Sequence, residues 1–227
     1  MSRLTAAQAA LYDPDCRACQ RLADFLDKVK LANPTYFCKP VPPFGDSKAW
    51  LLIVGLAPGM HGANASGRPF TGDYAGILLY QTLFDFGWAT RPQSLAAADD
   101  LQLNGARLTN AVKCLPPDNK PTPAEAKRCN GFLANELRGM PAGGAVLALG
   151  RIAHDAVLRA LGERASAHPF GHGAAHRVGV AGPVPQGLTL FDSYHCSRYN
   201  TNTRRLTPQM FQDVFEQIRK HRDGTRR

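Results

Sequence analysis

The chain has 227 residues, long enough to bury a sizeable core without disulfides, and 44% of them are apolar, which excludes a disordered polymer. Its 27 Lys and Arg against 18 Asp and Glu leave a net charge of +9, which favours polyanionic partners, nucleic acid first. No apolar run approaches the roughly 20 residues a bilayer span needs, and Met1–Leu11 lacks the apolar stretch of a secretion signal. The expectation is a single cytoplasmic domain over residues 1–227, monomeric and without a membrane partner.

Arg17–Lys30 has the spacing of an amphipathic helix, with Leu22, Phe25, Leu26 and Val29 on one face. Asn33–Pro43 is proline-rich and irregular. Trp50–Leu56 is a short apolar run ending at glycine, as in a buried strand, and a long Gly-rich loop leads from it to a helix over Ala75–Phe86. Arg107–Val112, Gly144–Leu149 and Leu188–Ser193 are further strands. Thr122–Arg138 is a helix with its start encoded: Thr122 as cap, Pro123 in the first turn and Glu125 completing a capping box. Arg151–Leu161 is the next helix, with Ile152, Ala156, Val157 and Ala160 expected to face inward. The last opens at Thr207–Pro208 and buries Phe211, Val214, Phe215 and Ile218, and the basic end, Arg219–Arg227, is read as a solvated tail.

Strands that alternate with helices predict a three-layer α/β/α sandwich around a parallel sheet of about four strands. Ligands of such sheets bind beyond the carboxyl ends of the strands. The loops after Leu56, Val112, Leu149 and Tyr194 should therefore meet at one site.

Six cysteines stand at positions 16, 19, 38, 114, 129 and 196. Without a secretion signal, close pairs point to a metal rather than to disulfides. Cys16 and Cys19 form C-x2-C, and Cys114 and Cys129 follow as C-x14-C. Four thiolates can hold zinc or a [4Fe–4S] cluster. A zinc ribbon has two tight knuckles and this chain has one, which favours the cluster and leaves zinc as the alternative. Either metal would tie the N-terminal helical segment to the sheet. Cys38 could replace one of the four.

Gly55–Gly76 carries six glycines in 22 residues, so its backbone can approach a ligand closely. It has neither the Walker spacing nor that of a dinucleotide loop. By generic chemistry it is an anion or nucleotide site.

Within it, Gly55-Leu-Ala-Pro-Gly59 followed by Gly67-Arg-Pro-Phe-Thr-Gly-Asp73 resembles the first motif of the bacterial and archaeal uracil-DNA glycosylase superfamily. Ser193-Tyr-His-Cys-Ser-Arg-Tyr-Asn200 resembles its second, which usually reads His-Pro-Ser followed by Asn. The four cysteines match the cluster ligands of the thermostable branches. The type-4 enzymes carry Glu at the second position of the first motif; Leu56 stands there in this chain, and Asp73 follows Thr71-Gly72. That is the pattern of the type-5 enzymes, or family B, whose substrates extend from uracil to hypoxanthine, xanthine and modified pyrimidines.

The resemblance implies a monofunctional glycosylase that extrudes a base from DNA and hydrolyses its N-glycosidic bond, leaving an abasic site. Bond breaking builds positive charge on the sugar and negative charge on the base, so the site needs an anion near one and donors near the other. Asp73 is the candidate anion, although a loop Asp before a helix can equally be its cap. His195 would donate to the base carbonyl. Asn110 could read the base edge, Phe70 could stack on the base, and Ala57 and Gly59 could lend N–H groups. His61, Asn64 and His172 are further base-site candidates. Arg198 and Tyr199 stand where relatives place wedge residues, and Arg204 and Arg205 would meet phosphates. Cys196 replaces the usual proline after the motif histidine. Neither motif contains a lysine, so no Schiff-base lyase step is expected. Two other readings remain: a non-catalytic nucleic-acid-binding module of the same fold, and a zinc-stabilised nucleotide hydrolase.

Overall fold

The computed structural model describes residues 11–179 and 187–225. Residues 1–10, with nearly all of the segment read for a secretion signal, and Arg226 and Arg227 of the basic end lie outside them.

Helix α1 (Gln20–Ala32) buries Leu22, Leu26 and Val29, as its spacing predicts. A two-residue strand β1 (Phe44–Gly45) precedes β2 (Leu51–Gly55), every residue of which is buried. The Gly-rich loop contains one turn of helix, α2 (Ala63–Ser66), and ends at α3 (Tyr74–Asp85). Strand β3 (Ala106–Asn110) is also wholly buried. Helix α4 (Pro123–Arg138) starts with the expected capping box: Thr122 Oγ1 accepts the Glu125 N–H, and Glu125 Oε2 accepts the Thr122 N–H at 2.7 Å. Strand β4 (Ala145–Leu149) and α5 (Arg151–Leu161) form the next unit. An edge strand β5 (Ala175–Val178), then β6 (Leu188–Ser193), a short α6 (Arg198–Asn202) and α7 (Pro208–Thr225) complete the chain.

The sheet order is β1-β3-β2-β4-β6-β5. The four central strands are parallel, with Leu51 level with Ala106 on one side and Ala145 on the other. The sheet is wider than expected and is mixed, because β1 and β5 add antiparallel edges. Side chains alternate between two cores. Leu51, Ile53, Leu108, Leu147 and Phe191 pack under α3 and α7, while Leu52, Val54, Val146, Ala148 and Leu190 pack under α4 and α5. The α/β/α sandwich is therefore as predicted, with the layers closed by apolar burial on both faces.

One further expectation is corrected. Ile152 does not face inward; it is 47% exposed, in the first turn of α5, while Ala156 and Val157 are buried as expected, beside Ala153 and Leu161. The basic end is largely solvated, as expected, and α7 runs through it to Thr225.

The order of the strands reverses at β2: one connection leads outward to β3, and the return places β4 on the other side of β2. A crevice opens at such a reversal, beyond the carboxyl ends of β2 and β4.

Candidate active site

A cavity of about 630 Å³ occupies that crevice, within the range of small-molecule sites. All four predicted loops reach it: Leu56, Ala57 and Gly59 after β2, Asn110 and Asn119 at and beyond β3, Leu149 to Ile152 after β4, and His195, Ser197 and Arg198 after β6. Phe70 and Asp73 complete the wall.

The glycines of the loop make this convergence possible. A Cβ on Gly55 would stand 2.6 Å from Phe70 Cζ and 2.4 Å from Asn110 Oδ1, so only glycine lets ring and amide meet over the strand end. Phe70 is 5% exposed and takes φ +56°, a left-handed backbone that bulky residues seldom adopt. Its carbonyl lies where a Gly76 Cβ would be, at 1.9 Å, and Tyr80 Oη donates to the neighbouring Pro69 carbonyl at 2.8 Å. The start of α3 thus clamps the Phe70 backbone.

Asp73 caps the helix that follows it and also lines the cavity. Its Oδ1 accepts the Gly76 N–H at 2.8 Å, capping α3. Its Cβ and Oδ2 crowd Gly62, where any side chain would come within 2.8 Å. Burial raises its carboxyl above the usual range, against the lowering by the Gly76 and Ala75 N–H groups. His195 opens only part of its surface, onto the cavity. Desolvation pushes its imidazole down to about 4, so it is neutral at neutral pH. Its Nδ1 is buried with no hydrogen-bond partner among the described residues, and its ring lies 6.3 Å from that of Phe70.

The remaining sequence candidates fall elsewhere. His61 Nδ1 pairs with Tyr36 Oη at 2.8 Å, outside the cavity. Asn64 is fully buried behind the loop, its Nδ2 within 3.5 Å of Cys38 Sγ and the Met60 carbonyl. His172 lies beneath the second motif: its Nδ1 accepts the Tyr194 N–H at 3.2 Å, and its ring stacks on Tyr194. Tyr199 is 71% exposed on α6. Arg205 stacks over Tyr194, Arg198 over Tyr74, and Arg204 takes φ +57° in the turn that follows. Of these residues, Arg198 lines the cavity.

Sequence reasoning missed Asn119, Leu149 and Ile152. Asn119 had a signal: Pro116-Pro117-Asp118-Asn119 ends in residue types that tolerate left-handed backbone, and Asp118 and Asn119 adopt φ +54° and +55°.

Cys16, Cys19, Cys114 and Cys129 line a second cavity, of about 160 Å³, with Leu22, Val112 and Phe132 around it. Helices α1 and α4 are held across it by Arg21, whose guanidinium donates twice to Glu125 at 2.7 and 2.8 Å. The Lys113 N–H donates to Cys129 Sγ at 3.3 Å. Cys38 is outside this group, packed with Leu26, Val29 and Leu115. Among the described residues, the one set of three possible ligand atoms within 4.8 Å is His154, His176 and Asp192. The His154 set is bonded internally, with Nδ1 2.7 Å from Asp192 Oδ1 and Nε2 2.9 Å from the His168 carbonyl.

Fold and site together define an α/β/α protein with a carboxylate and a neutral imidazole facing one strand-end cavity, and a four-cysteine centre beside it. A family model described as the Uracil DNA glycosylase superfamily matches residues 42–219. A type-5 uracil-DNA glycosylase of Thermus thermophilus is 46% identical over 90% of this chain and 93% of its own length. Another from Pyrobaculum aerophilum is 38% identical over 88% and 86%. A type-4 enzyme of Archaeoglobus fulgidus reaches 34%, over only 50% and 49%. The chain belongs to the uracil-DNA glycosylase superfamily, in its type-5 branch.

Proposed function

We propose that the chain is a monofunctional DNA glycosylase that hydrolyses the N-glycosidic bond of uracil, and of other deaminated or modified bases, in DNA and leaves an abasic site. The observation that carries this reading is the placement of Asp73 and His195 on one cavity at the strand ends. The names of the type-5 relatives support uracil as a substrate.

Asp73 stabilises the sugar cation and orients the attacking water. Its raised carboxyl makes it a better base than a free aspartate, and Gly62 leaves room for its second oxygen. His195 donates an N–H to the base oxygen on which charge builds. Being neutral, it needs no proton from solvent first, and its fixed, desolvated position strengthens the interaction. Asn110 offers a donor and an acceptor to the base edge, and Phe70 offers a face. Ala57 and Gly59 add backbone donors. Leu56 lines the cavity where the type-4 pattern has Glu, which supports tolerance of several bases. Tyr199 enters the gap left by the extruded base, and Arg198, Arg204 and Arg205 meet phosphates.

Cys16, Cys19, Cys114 and Cys129 would hold a [4Fe–4S] cluster, whose contribution is structural: it cross-links α1, the β3 end and α4.

The test is a labelled duplex with one uracil, incubated with protein and then treated with alkali. Alkali-dependent strand breakage that is lost in Asp73→Ala and His195→Ala is the expected result. Binding without breakage would show a nucleic-acid-binding module instead.

A further inference from the structure

Asp73 has a cavity on each side. Beyond the one described lies another, of about 430 Å³, with walls from Gly72 to Ile77 and from Gln93 to Leu95. The two share Asp73, Tyr74 and Arg198. Two large apolar side chains border the second cavity and are held out to solvent: Leu95 is 76% exposed and Ile77 63%.

The Gln93–Leu95 wall is built, not loose. Ser94 Oγ lies 2.7 Å from Thr71 Oγ1, and the Ser94 carbonyl accepts the Gly72 N–H at 3.2 Å. Arg68, only 6% exposed, donates to Ser94 Oγ, to the Ala97 carbonyl and to the Asp99 carboxylate. Asp99 Oδ2 in turn accepts the Leu95 N–H at 3.2 Å. A buried arginine therefore fixes an exposed leucine in place beside the cavity. On the ridge between the cavities, the Arg198 guanidinium lies 5.1 Å from the Tyr74 ring centre, and it forms no ion pair among the described residues.

The geometry points to a subsite for the neighbouring nucleotide: the second cavity takes the base and sugar next to the extruded nucleotide on the same DNA strand, with Leu95 and Ile77 against the base and Arg198 on the intervening phosphate. This rests on the glycosylase reading. The argument is connectivity. If the target sugar stands beside Asp73, the strand leaving it must pass an adjacent surface, and here that surface shares Asp73 with the catalytic cavity. An apolar wall suits a base face of any sequence, and an unpaired arginine suits a phosphate.

The test uses single strands with one central uracil: one unmodified, and two in which the neighbour on one side or the other is a base-free propyl spacer with its phosphate kept. In the wild-type protein one of the two spacers should lower kcat/KM at least about five-fold, as loss of one stacked base does. Leu95→Asp and, separately, Ile77→Asn should bring that ratio close to one. Leu31→Asp, at an equally exposed leucine (84%) on α1, should keep it. A wild-type protein that releases no uracil from the unmodified strand overturns the glycosylase reading and the subsite with it. Uracil released equally fast from all three strands, or variants of Leu95 and Ile77 that keep the spacer penalty, overturns the subsite alone.

Discussion

Asp73 Oδ1 accepts the N–H of Gly76 at 2.8 Å, so the carboxylate on the cavity is also the cap of the helix that follows it. One side chain thus fixes the start of α3 and presents a charge to the cavity. The two roles separate by substitution. Asp73→Asn keeps an oxygen for the Gly76 N–H and loses the charge; Asp73→Ala loses both. Both variants should lose about 10²–10⁴-fold in base release. Only Asp73→Ala should also lose about 1 kcal/mol of stability, read from denaturant melts.

His195 predicts a pH signature. Its folded value of about 4 lies below its ordinary 6.5 because burial disfavours the imidazolium. Between those values the unfolded chain binds more protons than the folded one, so stability falls as pH drops through the window, by up to about 3 kcal/mol. His195→Gln should remove that part of the acid sensitivity, leaving a flatter stability curve from pH 7 to pH 4. The raised carboxyl of Asp73 acts in the opposite sense, so the wild-type and variant curves must be compared with Asp73 intact in both.

On the proposed mechanism, the acid limb of activity belongs to Asp73. It works ionised, and burial raises its carboxyl, so base release should fall on acidification at a higher pH than for an ordinary aspartate. His195 is neutral above about 4 and should add no second limb near neutrality. A rate profile from pH 4 to pH 8 reads both.

Much of this site was legible because strand ends in a parallel sheet are marked by apolar runs that stop at glycine or a polar residue. Gly55, Asn110 and Gly150 follow that rule and border the cavity or its strand ends, and His195 stands two residues beyond the end of β6. The edge strands were not legible. Phe44–Gly45 is two residues long in a proline-rich stretch, and Ala175–Val178 is largely solvated, so neither shows a buried run. Ile152 was misplaced because periodicity gives a face but not what the first turn of a helix overlooks; here that is the cavity. His61 and Asn64 share the Gly-rich loop with site residues and His172 packs under the second motif, yet Tyr36, Cys38 and Tyr194 engage the three outside the cavity. Loop membership does not fix side-chain direction.

The cysteine frame gives a contrast between two buried thiols. Cys129 lines the four-sulfur cavity and Cys38 does not. Cys129→Ser should lose iron and acid-labile sulfide and lower the melting temperature. Cys38→Ser should keep the metal content of the wild type.

Gly76 tests the clamp on Phe70. Alanine there would put Cβ 1.9 Å from the Phe70 carbonyl oxygen, a backbone atom that yields only if the loop moves. Gly76→Ala should cost roughly 1–3 kcal/mol or more and reduce base release along with it. Gly131→Ala, where a Cβ meets nothing within 4 Å on α4, should cost nothing and gain helix propensity.

The central claim is a carboxylate-assisted hydrolysis of a base from DNA, and the most direct measurement is single-turnover release of free uracil from a duplex by wild-type protein and by Asp73→Asn. The predicted result is free base and an alkali-labile strand from the wild type, with release at least about 100-fold slower from Asp73→Asn. Equal rates from the two proteins, or uracil left in place by the wild type, would contradict it.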